Sequence, residues 1–310
     1  MTSAWGDGLA TSTRTGEPLD AWFPAPRLGS RAGSAPARPP AALEAALGED
    51  RVREVRVDVV SVELDTDAPV ASTPDAYLRL HLLSHLLMRP NTVNLDGLFD
   101  HLPIVAWTSA GPVAASALDR LRPGLRRAGI QVTGLDRFPR LLDYLTPHRV
   151  RIADAARVRL GAHLSPGTTV MHAGFVNYNA GTLGASMVEG RVSQGVVIGD
   201  GSDVGGGASI MGTLSGGGTH RVAIGERVLL GANSGVGISI GDDGIVEAGL
   251  YVTAGTKVAL VEPGARVRIV KAGELSGQPG LLFRRNSQTG AVEALPRTGS
   301  GVELNAALHA

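Results

Sequence analysis

The 310-residue chain has no cysteine. That excludes a disulfide framework, thiolate zinc ligands and a cysteine nucleophile. An excess of charge of either sign is also lacking, because 29 Lys and Arg balance 29 Asp and Glu. A nucleic-acid binder held by bulk positive charge is therefore not expected. No run of roughly 18 apolar residues occurs, so no membrane-spanning helix is expected. Met1-Thr2-Ser3-Ala4-Trp5 is not a basic start followed by an apolar stretch, so no signal peptide is read and the chain is expected in the cytoplasm. Aromatic residues make up only 4% of the chain, against 42 glycines. With 43% hydrophobic residues there is enough apolar material for a core. A core with few rings and many glycines suggests a repetitive, backbone-dominated scaffold.

Residues 1–47 are rich in Gly, Ala, Pro, Ser and Thr and read as a poorly ordered or irregular lead-in, with Trp22 and Phe23 as possible anchors. Over 48–150 the pattern alternates. Val55, Val57 and Val59 interleave with Arg56 and Asp58 as a half-buried strand. Thr73-Pro74-Asp75 reads as an N-cap with Pro at the first helical position, and Pro90 as the stop. A strand over 104–107, a helix over 113–128 with Pro123 as a kink or break, a strand over 130–135 and a short helix over 138–144 complete a small α/β domain.

Beyond residue 150 a period of six takes over. Val158, Leu164, Val170, Val176 and Val188 share one register, to which Ile224, Leu230 and Val236 return. Ile198, Val204 and Ile210 share a second, held again by Ile240, Val246, Val252 and Val258. Such a period fits short strands joined by tight corners, with one aliphatic side chain per face pointing inward. Gly fits the corners, and aromatic rings do not fit a narrow prism. The expected fold is mainly β with an α/β N-terminal domain, the solenoid spanning 151–262 and a C-terminal segment 263–310. The register breaks at Glu189-Gly190-Arg191, at the insertion Leu214–His220 and between Val236 and Ile240. Breaks in a regular scaffold are where function is carried.

Two stretches, 181–191 (GTLGASMVEGR) and 205–218 (GGGASIMGTLSGGG), resemble tetrahydrodipicolinate N-succinyltransferases, with the actinobacterial form as the nearer likeness. Further matches are 229–233 (LLGAN), 246–255 (VEAGLYVTAG) and 281–287 (LLFRRNS). The resemblance is dense over about residues 150–290 and diffuse before it. It implies a left-handed parallel β-helix, a homotrimer with active sites between subunits, and succinyl-CoA as acyl donor without a permanently bound cofactor. The acceptor would be the amine of open-chain tetrahydrodipicolinate, on the route to diaminopimelate and lysine.

The resemblance also assigns roles. Glu189 would be catalytic, either attacking the thioester to give an acyl anhydride or taking a proton from the amine. As a residue alone it serves equally as a solvated corner carboxylate. Arg191 would grip the succinyl carboxylate with its guanidinium fork. Gly206, Ser209, Ala232, Glu247, Ala248 and Gly255 match donor-binding positions, and Gly212 is a possible oxyanion donor. Lys271, Arg284, Arg285, Asn286 and Ser287 match positions near the CoA phosphates. Each has a plainer reading, as corner geometry for the glycines and as solvated turn charge for Glu247 and Arg285. His163, His172 and His220 show no trio spacing for a metal. Ala156 and Ala173 stand where some relatives carry acidic residues on the trimer axis, so no metal is expected there. Rival readings are a hexapeptide-repeat transferase for another amine, and a non-catalytic or metal-binding solenoid.

Overall fold

The computed structural model describes residues 2–31, 41–213, 220–264 and 266–297. The chain forms two compact units, Met1–Leu145 and Thr146–Ala310.

The first unit is built on a strand that the sequence conceals. Ser3–Thr13 pairs antiparallel along its whole length with Val55–Asp65, from Ser3 opposite Asp65 to Thr13 opposite Val55. Pro18–Trp22 pairs with its other edge, and Arg27–Leu28 extends that side. The expectation of an irregular segment over 1–47 is thus corrected for residues 3–28. Small residues give no strand signal by themselves, but here they let the sheet be crossed closely. Phe23 is wholly buried against the strand face at Gly6 and Gly8. Residues 32–40 of that segment lie outside the described residues.

The helix Thr73–Ser84 is buried at every position except Pro74. Its N-cap is Ser72, not Thr73: the Ser72 hydroxyl accepts from the Asp75 N–H at 3.2 Å, while the Thr73 hydroxyl donates to the His101 carbonyl. The helix ends at Ser84, ahead of Pro90, where Leu86 turns to φ +60. Arg79 is 1% exposed, and its charge is met by Asp75 at 2.6 Å and by the Asn94 and Asp65 carbonyls. A second, three-stranded sheet joins Val105–Thr108 to Gly111–Ala114 and Val132–Asp136. The helix expected over 113–128 therefore begins only at Leu118, because Gly111–Ala114 is already a hairpin strand. Pro123 stays within it, and Leu118, Leu121 and Leu125 face Ala106 and Val113.

The second unit is a parallel β-helix, left-handed as the resemblance implies, and its period of six places one inward side chain on each side in turn. Three stacks of short parallel strands make its sides. The inward residues of one side are Val170, Val188, Val204, Leu230 and Val246. Those of the next are Val176, Val192, Ile210, Val236 and Val252. The third carries Leu164, Thr182, Ile198 and Ile224. All are buried. Two inward positions are missing from the registers read above. Val192 follows the short Glu189 corner and opens the second register, six residues before Ile198. Thr182 is admitted because its hydroxyl bonds the Thr168 hydroxyl at 2.6 Å. The C-terminal segment does not stand apart. Phe283 pairs with Val246 and so continues the first stack, and Val292–Pro296 folds back antiparallel upon it. The inserted loop at 214–219 and residues 298–310 lie outside the described residues. No helix among the described residues is long and apolar enough to cross a membrane.

Candidate functional site

One edge of the prism, between its first and second sides, gathers most of the residues singled out above. A ladder of backbone bonds defines it. Glu189 N–H donates to the Val204 carbonyl, Gly205 N–H to Leu230, Gly231 N–H to Val246, and Glu247 N–H to Phe283, all at 2.8–2.9 Å. Each corner therefore sits on the next, in the order Glu189, Gly205-Gly206, Gly231-Ala232, Glu247-Ala248 and Arg284-Arg285. From Gly205 to Ala232 the edge above the glutamate is paved with small residues, so it forms a shallow track beside the backbone. Glu189 is half-buried at one end, and a Cβ built on Gly206 would lie 3.3 Å from its Oε2. The carboxylate thus leans over Gly206, and a larger residue there would meet it. Among the described residues, the N–H groups of Gly206, Ala232 and Ala248 have no intramolecular acceptor.

The second side carries Arg191 and Ser209 outward on neighbouring strands, in register. The exposed Arg191 guanidinium donates to the Ser209 hydroxyl from Nη2 at 2.7 Å and from Nε at 3.2 Å. A short hydroxyl at this distance fixes the fork without neutralising it. Next in the row come Gly235 and Tyr251. The Tyr251 ring occupies the place of a Gly235 side chain, 2.1 Å from where a Cβ would stand, and is 48% exposed. Tyr251 was not singled out in the sequence, although the motif around it was. Only the strand register shows that its ring lies on the face of Arg191.

At the far end of the track the cations are partly committed. Arg284 pairs with Glu293 at 3.0 Å, and Asn286 donates to the same carboxylate at 2.8 Å. These contacts, the Asn286 hydrogen bond foremost, hold the Glu293 carboxyl below its usual range. The Arg285 guanidinium donates only to the Gly290 carbonyl, so among the described residues no carboxylate pairs with it. Glu247 accepts the Arg285 N–H at 2.6 Å and so ties the hairpin to the solenoid. Ser287 is exposed in the adjoining turn.

Three predicted residues lie elsewhere within the chain. Gly212 follows the strand Ser209–Ile210 and so sits at the other end of the second side from Glu189, where its carbonyl accepts from Val222. Gly255 and the exposed Lys271 come together at another turn, through bonds from Ala272 to Thr256 and from Gly273 to Ala254. His163 is buried within the solenoid, whereas His172 and His220 are exposed. Among the described residues, no three His, Asp or Glu side chains gather as a metal site.

Residues 221–254 match the model described as the hexapeptide repeat of succinyl-transferase. Residues 102–140 match the tetrahydrodipicolinate N-succinyltransferase middle region. The chain is 57% identical over 263 residues to 2,3,4,5-tetrahydropyridine-2,6-dicarboxylate N-succinyltransferases of Pseudomonas paraeruginosa and Pseudomonas aeruginosa, covering 84% of this chain and 76% of each relative. The Pseudomonas putida enzyme of the same name is 55% identical over the same span. These relatives are pseudomonad, so they lend no support to an actinobacterial subtype. A Campylobacter jejuni structure described as a 2,3,4,5-tetrahydropyridine-2-carboxylate N-succinyltransferase superposes with a TM-score of 0.79 at 31% identity, over 94% of this chain and 92% of that one. A solenoid whose glutamate corner opens a track of small residues, and a sequence shared across most of its length, place the chain in the tetrahydropyridine-dicarboxylate N-succinyltransferase family.

Proposed function

We propose that the protein transfers the succinyl group of succinyl-CoA to the amine of open-chain tetrahydrodipicolinate, releasing CoA and the N-succinyl amide. The observation that carries this reading is the stacking of Glu189, Gly206, Ala232 and Ala248 along one edge that ends at Arg285. A pantetheine arm laid along that edge needs close approach to backbone, which small residues allow. Arg285 then faces the phosphate end as the uncommitted cation, while Arg284, Asn286 and Ser287 shape its turn. Unengaged backbone N–H groups along the track offer donors to the arm's amides, and that of Gly206 lies nearest Glu189 for a developing oxyanion.

Arg191, steadied by Ser209, is the group to receive the terminal carboxylate of the succinyl chain. The amine attacks the thioester carbon, the carbon–sulfur bond breaks, and the sulfur leaves as thiolate. Glu189 accepts the proton that the amine loses and passes it to that sulfur. In the alternative covalent route, a Glu189 oxygen attacks first and expels the thiolate. The amine then attacks the succinyl carbon of the anhydride, which frees the carboxylate. Gly212, Gly255 and Lys271 lie away from Glu189 within one chain, so they join the site only from a neighbouring subunit. A homotrimer with shared sites, working in the cytoplasm, is the assembly that suits this placement.

The test is CoA release with succinyl-CoA and tetrahydrodipicolinate, with acetyl-CoA as control. Release that depends on both the succinyl donor and the acceptor supports the reading. Release with any amine, or equal use of acetyl-CoA, overturns it.

A further inference from the structure

The first unit contains a cavity of about 330 Å³ that the transfer chemistry does not use. Its walls are Leu9, Val57 and the rings of Trp22 and Trp107. Both indole N–H groups are already spent, on the Tyr144 carbonyl at 2.8 Å and the Asp136 carbonyl at 2.9 Å. The tryptophans therefore offer the cavity apolar surface and no free donor.

Four charged side chains also line it: Arg140 and Asp143 pair with each other at 2.9 Å, which leaves the Asp20 carboxyl and the Arg53 guanidinium as the opposite charges open to a ligand. Asp20 is 7% exposed, and its Oδ2 accepts from the Tyr144 hydroxyl at 2.7 Å. Desolvation raises its pKa from the ordinary value, against the hydrogen bonds of Thr11 and Tyr144 and the charge of Arg53. Tyr144 and Thr11 offset part of the cost of burying this carboxyl, and a cation beside it would offset more. Arg53 is anchored through Nε to Asp50 at 2.7 Å and through Nη1 to the Pro112 carbonyl at 3.4 Å. Its Nη2 has no acceptor among the described residues. The hairpin turn closes down on this guanidinium at Gly111, whose φ is +108 and where a Cβ would lie 2.6 Å from Nη1. Only glycine permits that approach.

We infer that this cavity binds a free α-amino acid, its ammonium on Asp20, its carboxylate on Arg53 and its side-chain methylenes against Trp22 and Trp107. A dicarboxylate would set charge against Asp20, and a simple amine would leave Arg53 unused; a zwitterion satisfies both. The volume lies at the low end of the range for small-molecule sites, about 300–1,000 Å³, which suits one amino acid and excludes a coenzyme.

The experiment is isothermal titration of the full-length chain, without acyl donor, using L-lysine, meso-diaminopimelate and L-leucine, with succinate as the dicarboxylate control. Lysine and diaminopimelate are chosen because the proposed transfer leads toward them, but the readout is binding and does not depend on that activity. At least one amino acid is expected to give saturable heat with a Kd of about 1 mM or tighter, while succinate gives none. Asp20→Asn should weaken that binding at least about tenfold, the loss of one charge-assisted pair. Ala110→Trp provides an independent check if Asp20→Asn fails to fold. Ala110 is exposed in the hairpin turn at the cavity mouth, so the ring should block entry and abolish binding while CoA release stays unchanged. No saturable heat with any of the three, binding that survives Ala110→Trp, equal binding of succinate, or displacement by tetrahydrodipicolinate would each overturn the proposal.

Discussion

Glu189 stands where the solenoid drops out of register, and its carboxylate rests over Gly206 without a protein cation beside it among the described residues. Either chemical route needs that carboxylate charged. Glu189→Gln keeps its size and removes its basicity, so turnover should fall by at least about 100-fold. Assembly and donor binding should persist, because the side chain belongs to a corner and not to the packed interior. Steady-state CoA release and light scattering check both parts, and mass spectrometry for a succinylated Glu189 without acceptor distinguishes the covalent route. Arg191→Ala should cost about 2 to 3 kcal/mol with succinyl-CoA, roughly 30- to 150-fold in kcat/KM, and far less with acetyl-CoA. Ser209→Ala leaves the charge but frees the fork, so its penalty should be about 1 kcal/mol, or roughly fivefold, and specific to the succinyl donor. Equal losses with both donors would show that Arg191 does not read the carboxylate.

Elements differ in how plainly the chain announces them. The solenoid was legible because successive sides of each coil take one inward side chain every six residues, and that demand is written into the sequence from Val158 to Val258. Thr182 was not, since it answers by a paired hydroxyl, whereas Val192, six residues before Ile198, was open to the same reading and was passed over. Ser3–Thr13 was illegible because its evidence lies in its partner, Val55–Asp65, far along the chain. The site residues came through resemblance to known enzymes. Their stacking did not, because the lengths of intervening corners decide which residues become neighbours.

Two expectations belong to this level. Gly181 has φ +155, and a Cβ on it would lie 1.8 Å from the His163 carbonyl oxygen. Gly181→Ala should therefore destabilise the coil by more than about 3 kcal/mol, read as a drop in the denaturant midpoint. In the first unit, burial, with some help from His85, lowers the His81 pKa from 6.5 to about 3. Between those values the unfolded chain binds a proton that the native helix refuses, so stability should fall as pH drops through that window. Asp20, raised by desolvation, acts in the opposite sense within the carboxylate range. Denaturant titrations from pH 7 to 4 should show the loss, and His81→Phe should flatten it.

For the molecule as a whole, the proposed assembly has a neighbour supply Lys271, Gly255 and Gly212, which lie away from Glu189 within one chain. Light scattering should give three times the chain mass at working concentrations, and mixing Glu189→Gln with Lys271→Ala chains should restore some activity that neither has alone. A monomer, or no complementation in mixed trimers, would remove the shared-site model. The stacked edge has a metric side as well. Each rung adds one strand spacing, so the four steps from Glu189 to the Arg284-Arg285 corner measure roughly 19 Å. The fold thereby acts as a gauge whose graduations are whole coils, and it grades donors by reach as well as by charge. Inserting one extra coil between Ala232 and Glu247 would carry the phosphate clamp about 4.8 Å farther out. Such a chain should use succinyl-CoA poorly through a raised KM, while succinyl-pantetheine, which never touches the far mark, should be turned over as before.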